Sequence, residues 1–482
     1  MTAKLRFFFV MKRTTIGKSD RNLLCYPRFF VSLHKNDHDM TQTERIKTME
    51  TRLDQASVAV MHLSAALDEY VAAGEAIREL SAYYGSDHQN TISGQYAMPK
   101  IIVAIDSLKG CLSSQEANRA AAEGIRNVWP EAEVVEVPVS DGGEGFLEAF
   151  RAAIGGEIIA LTVHDPLMRP VKAAYLLHND TAVIEIAQAC GLTLLAEEER
   201  NPMVATSYGV GQLVADAVRR GAKHVIVGLG GSATSDAGMG MLRAIVDIFA
   251  KLDNSTAVKG CWDDITALKS VRFTIASDVR NPLCGEQGAA YVFGPQKFPA
   301  KKAEAGIANE IQALDRRAAK FAELSARHFG FDRSGEAGAG AAGGLGYAFL
   351  QYLDAECRPG IDLLLDTIRF KDLIRDAYLI ITGEGAADRQ TLMGKLPMGI
   401  LRQAGSIPVC LIAGRISDRD ALLQAGFADA VCINPPNLPL SEAMRKEVAQ
   451  RNIARTVRNA QMAWITRFTD SSTHFTEDTE NL

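Results

Sequence analysis

The chain has 482 residues and a net charge of −6, from 52 Lys+Arg against 58 Asp+Glu. At roughly 100–200 residues per domain that allows two to four domains, and the charge balance points to neither nucleic acid nor an acidic membrane surface as partner. No apolar run approaches the roughly 18–20 residues that span a bilayer, and the eight cysteines form no CxxC pair, which argues against a membrane-spanning helix, a zinc ribbon and a dense disulfide framework.

Residues 1–39 hold eight Lys/Arg before residue 36, and Asp20 is the single acid up to that point. No amphipathic stripe runs through them, so they read as a disordered leader, or as sequence upstream of the true start, rather than a transit peptide. Residues 40–97 read as a helical extension and linker. Ile46, Met49, Leu53, Ala56, Val60, Leu63, Leu67 and Tyr70 form a heptad seam, a candidate homodimer helix over 46–70. The stretch resembles a small bacterial helical family of unknown function, whose members end this region in a Tyr-Tyr-Gly-Ser like Tyr83–Ser86.

From Met98 the pattern becomes alternating β and α. Ile101–Ile105 reads as a strand, followed by a helix capped by Ser113 and Glu116. Val134–Val139 reads as a strand and Phe146–Ala153 as a helix. Strands Tyr378–Ile381, Val409–Ile412 and Ala430–Ile433 repeat the alternation with helices about Pro397–Gln403 and Ala421–Ala425. This predicts an α/β fold: a doubly wound domain over 98–160 and 365–466, with a second α/β domain inserted at 161–364. Residues 467–482 read as a disordered tail.

In a doubly wound sheet, ligands bind beyond the carboxyl ends of strands. Five such ends carry an acid: Asp106–Gly110, Ser140–Gly145, Gly228–Gly238 after strand His224–Val227, Ser277–Leu283 after Phe273–Ala276, and Thr382–Asp388. Glycines let backbone N–H groups approach phosphate, carboxylates suit Mg²⁺, and Lys109 and Lys395 can neutralise phosphate charge. Together these are the parts of a phosphotransferase. Gly338–Gly344 reads as another phosphate or helix-packing loop. The rival is an NAD(P)-dependent dehydrogenase, because Gly228, Gly230 and Ala233 satisfy GxGxxA after a strand. That fingerprint needs an acid at the end of the next strand, and the nearest, Asp247, falls inside the helical run Met239–Lys251. A non-catalytic small-acid binding protein is a further alternative, and would bind its acid without turnover.

These strings, with Phe293–Lys297, make residues about 99–465 resemble bacterial glycerate kinase of the first type. The resemblance implies transfer of the γ-phosphate of ATP to a hydroxyl of D-glycerate, usually giving 2-phosphoglycerate, with Mg²⁺ and a two-domain α/β architecture. The chain departs from the family pattern at Ser235-Asp236-Ala237-Gly238, at Phe298, and over a shortened Asp253–Asp264. A cytoplasmic enzyme is expected, with no nucleic-acid or membrane partner.

On this reading Asp106, Lys109, Asp236 and Asp388 are the catalytic candidates, with Asp236 the base and Lys109 on phosphate. Gly142, Gly143, Gly230, Gly231, Ser232, Gly340, Gly383, Gly385 and Lys395 are the nucleotide-binding candidates. Asp141, Glu144, Asp278 and Glu384 are the Mg²⁺ candidates, and Arg280 or Lys297 the cation for the glycerate carboxylate.

Overall fold

The computed structural model describes residues 99–250, 262–301 and 304–472. The leader, the heptad helix, the linker, the shortened stretch at 253–261 and residues 473–482 lie outside the described residues.

Two sheets organise the chain. The first contains β1 (Lys100–Ile105), β2 (Glu133–Glu136), β9 (Ala377–Ala387), β10 (Val409–Ile416) and β11 (Asp429–Cys432). Its order is β11-β10-β9-β1-β2 and every neighbouring pair is parallel. Taken in chain order this is the flavodoxin-like arrangement, whose topological switch point falls between β1 and β9. The second sheet contains β3 (Glu157–His164), β4 (Pro170–His178), β5 (Thr181–Glu185), β6 (His224–Gly228), β7 (Arg272–Ala276) and β8 (Glu356–Arg358), in that order. The first three strands are antiparallel and the rest parallel. No helix among the described residues is long and apolar enough to cross a membrane.

Strand periodicity explains the packing. Ile101, Val103 and Ile105 face a core with Ile453, Val457 and Trp464 of the C-terminal helix Lys446–Ser472. Ile102 and Ala104 face the other way, into a core with Phe146 and Phe150 of helix Phe146–Ile154. Leu176, Val183 and Ile226 of the second sheet enter that same core. The two sheets are therefore joined through shared apolar packing around two phenylalanines whose rings lie 4.7 Å apart.

Among the boundaries that differ from the sequence reading, two differ most. The strand expected to stop at Ile381 continues to Ala387, because β10 also runs on and pairs Ala413 with Glu384 and Arg415 with Ala386. The Thr382–Ala387 string is thus strand, not loop. The C-terminal helix runs to Ser472, so residues 467–472 are helical rather than tail.

The junction of the sheets is tightest where Gly230 N–H donates to Gly142 O at 3.0 Å. A Cβ at Gly230 would stand 2.3 Å from Gly143 Cα. Gly230→Ala should therefore lower stability by about 1–3 kcal/mol, the scale of overpacking, read as an earlier urea midpoint.

Candidate active site

The ends of β1, β2, β7 and β9 bring acids together. Asp106 follows β1 and is 9% exposed; its Oδ1 accepts from Ser107 N–H at 2.7 Å. Burial, then the nearby Asp141 carboxylate, pushes its carboxyl up to about 8, with Glu384 adding to the rise and Lys109 opposing it. Asp278 follows β7 in the second sheet. It is exposed at the surface, and desolvation of its carboxyl by the surrounding chain, then the Asp141 charge, pushes it up to about 7. Asp141 acts on both, so the candidate cluster draws on both sheets. Its Oδ1 accepts from Gly143 N–H at 3.1 Å.

Glu384 lies within β9, buried, and desolvation raises its carboxyl above the usual range. Thr391 Oγ1 donates to its Oε1 at 2.6 Å, and Lys395 Nζ stands 3.7 Å from its Oε2. Asp388 shapes the turn that delivers Thr391: its Oδ1 accepts from Gln390 N–H at 2.8 Å, and its own N–H donates to Thr391 Oγ1 at 3.0 Å. Lys109 is exposed beside Asp106. Among the described residues no three His, Cys, Asp or Glu side chains close around a common metal position.

Several predicted residues lie outside this cluster. Asp236, expected to be the base, is an internal hub. Its Oδ2 accepts from Ser207 N–H at 2.8 Å, Ser207 Oγ at 2.9 Å and Gly240 N–H at 3.1 Å, and its Oδ1 from Gly238 N–H at 3.1 Å. Both oxygens are engaged, and through them it organises the entry to helix Met239–Ala250. Gly230 and Gly340 give their N–H groups to Gly142 O and Asn281 O, so neither amide is free for phosphate. Gly343 O accepts from Ala237 N–H, which makes Gly338–Gly344 a packing support for the Asp236 loop. Gly383 lies in the sheet, where its O accepts from Asp106 N–H at 2.9 Å. Glu144 is exposed and its charge acts on Glu185. Arg280 is exposed on the loop after β7, whereas Lys297 is buried and donates to Thr234 O.

Other predicted groups remain placed to bind. Gly142 and Gly143 line the Asp141 turn, and Gly385 opens toward free space with no neighbour where a Cβ would stand. The N–H groups of Gly231 and Ser232 have no hydrogen-bond acceptor among the described residues. The sequence reading missed Glu185, Ser207 and Arg317. Glu185 ends β5, accepts from Leu147 N–H at 3.2 Å, and is pushed up to about 7 chiefly by burial. Its place at a strand end is the signal that could have found it. Arg317 donates to Ser235 O at 3.0 Å and Met203 O at 3.2 Å from a long helix, and no local pattern announces it.

Two predictions follow from these contacts. Asp236→Asn should cost about 2 kcal/mol of stability, the scale of hydrogen bonds to a charged group, visible in the urea midpoint. Asp106 and Glu185 have carboxyls raised above their unfolded range, so their burial favours the neutral form. Their contribution is complete below the ordinary carboxylate range of about 4 and is lost as pH rises through about 7 to 8. The melting temperature should fall across that window, and Asp106→Asn should flatten the fall in a thermal-shift series.

The profile of the glycerate kinase family matches residues 101–465. A glycerate kinase of Bacillus subtilis is 40% identical over 378 residues, spanning 75% of this chain and 96% of that protein. A glycerate 2-kinase of Escherichia coli is 38% identical over 376 residues, spanning 75% and 96%. A solved structure from Salmonella typhimurium, put forward as glycerate kinase 2, superposes with a TM-score of 0.62 at 34% identity, covering 77% of this chain and 99% of that one. The chain belongs to the glycerate kinase family.

Proposed function

We propose that this chain is an ATP-dependent glycerate kinase that moves the γ-phosphoryl group of ATP to a hydroxyl of D-glycerate, with 2-phosphoglycerate the favoured product. The observation that carries the reading is the gathering of Asp106, Asp141, Asp278 and Glu384, with Lys109 and Lys395, at strand ends of two sheets. Phosphoryl transfer asks for little covalent chemistry and much charge placement, which this arrangement supplies. Lys109 and Lys395 offer positive charge to phosphate oxygens.

Mg²⁺ fits the donor set. The Asp141 charge acts on both Asp106 and Asp278, a repulsion that a cation would relieve, and Mg²⁺ takes one or two carboxylates while keeping waters and phosphate oxygens. Asp141, with Asp278, would hold it, and the ion would neutralise charge developing on the phosphoryl group. Asp106 is the better candidate for the base: only its Oδ1 is engaged, and a carboxyl pushed up to about 8 is matched to proton transfer near neutral pH. The dehydrogenase alternative is not favoured, since Asp247 lies inside helix Met239–Ala250, where it pairs with Arg243. We place the enzyme in the cytoplasm, acting on small molecules.

The test is an ADP-release assay with D-glycerate, followed by phosphorus NMR of the product. ATP- and Mg²⁺-dependent ADP release is expected. Hydride transfer with NAD and no ADP would reverse the assignment. Asp106→Asn should lower kcat by about 10²-fold or more, the scale of a lost general base, and Lys109→Met should also lower it through lost charge neutralisation. Near-wild-type kcat in both would move the site elsewhere.

A further inference from the structure

We propose that the loop Gly231–Asp236 carries a preformed subsite for the substrate carboxylate, with Ser235 as hydroxyl donor and Lys297 as cation. This rests on the glycerate kinase reading and assigns a part of the substrate to residues outside the acid cluster.

Ser235 is 6% exposed, and its Oγ is buried without a hydrogen-bond partner. Buried hydroxyls are rarely left so in a native interior, and one that is invites a ligand. Lys297 is 3% exposed, and its ammonium group donates to the carbonyl of Thr234, the residue before Ser235. No carboxylate among the described residues stands within ion-pair distance of it. The acid whose charge reaches it, Asp236, has both oxygens engaged by Ser207, Gly238 and Gly240. Buried charges are ordinarily paired, so this one favours an anion from outside the chain.

The backbone supports the same sign. The Thr234 and Ser235 carbonyls are tied to Lys297 and Arg317. The N–H groups of Gly231 and Ser232 remain without acceptors, so this stretch presents donors and cations rather than oxygens. Arg317 also binds the Met203 carbonyl, and Arg200, just upstream of Met203, has a buried Nε with no partner. Gly230, at the head of the loop, hydrogen-bonds Gly142 O beside Asp141. One loop thus joins the phosphoryl-transfer site to an anion site. That suits a short hydroxy acid, which carries a hydroxyl and a carboxylate on neighbouring carbons. A neutral polyol would leave Lys297 unpaired and be rejected.

The test uses the full chain with Ser235→Ala, Lys297→Met and Lys297→Arg, each checked by circular dichroism melting. Ser235→Ala removes only an unpaired hydroxyl, so the fold should persist. It should raise KM for D-glycerate about tenfold, the scale of a hydrogen bond to a charged group, with KM for ATP unchanged. Lys297→Met should raise it further and narrow the preference for D-glycerate over glycerol, and Lys297→Arg should restore part of that preference. An unchanged KM for D-glycerate in Ser235→Ala, or a rise confined to ATP, would overturn the subsite. Failure of the wild-type chain to turn over D-glycerate would overturn the kinase reading instead. Calorimetry with D-glycerate would then decide the subsite: binding weakened by Ser235→Ala supports it, and equal binding overturns it.

Discussion

Acids of like charge held close at the strand ends are the constraint on which the rest of this molecule depends. Burial and the charges of Asp141 and Glu384 raise the Asp106 carboxyl, desolvation and Asp141 raise that of Asp278, and burial raises that of Glu384, so their placement opposes folding at neutral pH. Something else must hold the strand ends together. The core that Phe146 and Phe150 share with residues from both sheets does so, and the Gly142–Gly230 contact brings the backbones to hydrogen-bonding distance. Glu185 adds a link by accepting from the start of helix Phe146–Ile154, whose Gly145 N-cap has no side chain to do it. The apolar core thereby sustains an arrangement that electrostatics alone would disperse, and ligand charge can relieve it.

The loop after β6 shows a second economy. Asp236 turns its carboxylate inward onto four donors, and the cost of burying its charge is offset by those bonds. Gly343 lies so close beneath that a Cβ there would stand 1.9 Å from Thr234 O, so only glycine permits the support. Cations then take the outward carbonyls of Thr234 and Ser235. The result is a segment that keeps the N–H groups of Gly231 and Ser232 and the Ser235 hydroxyl without partners among the described residues, built by residues from five separate parts of the chain.

Much of this was legible locally. Short, mainly apolar runs followed by Gly and acidic turns marked β1, β6 and β7, because strand burial leaves that signature. The strand-end motifs named four of the gathered acids, since acids after strands sit where an α/β sheet binds ligands. The length of β9 was not legible: residues 382–387 read as a loop because of their glycines, and only pairing with β10 makes them strand. Arg317 and Ser207 were invisible for a related reason, as each acts on a residue distant in sequence and matches no short pattern.

The sequence by itself determined the alternation of strands and helices, the family and the acids available for chemistry, because these reside in periodicity and short motifs. Only the tertiary structure decided how many donors each acid meets. Asp106 and Asp236 look alike in sequence, each an acid in a glycine-bearing turn after a strand. Donors from Ser207 and the start of a helix close around Asp236, while Asp106 meets a single amide and the charge of Asp141. Whether a carboxylate organises backbone or reacts depends on how many donors surround it, and those donors come from elsewhere in the chain.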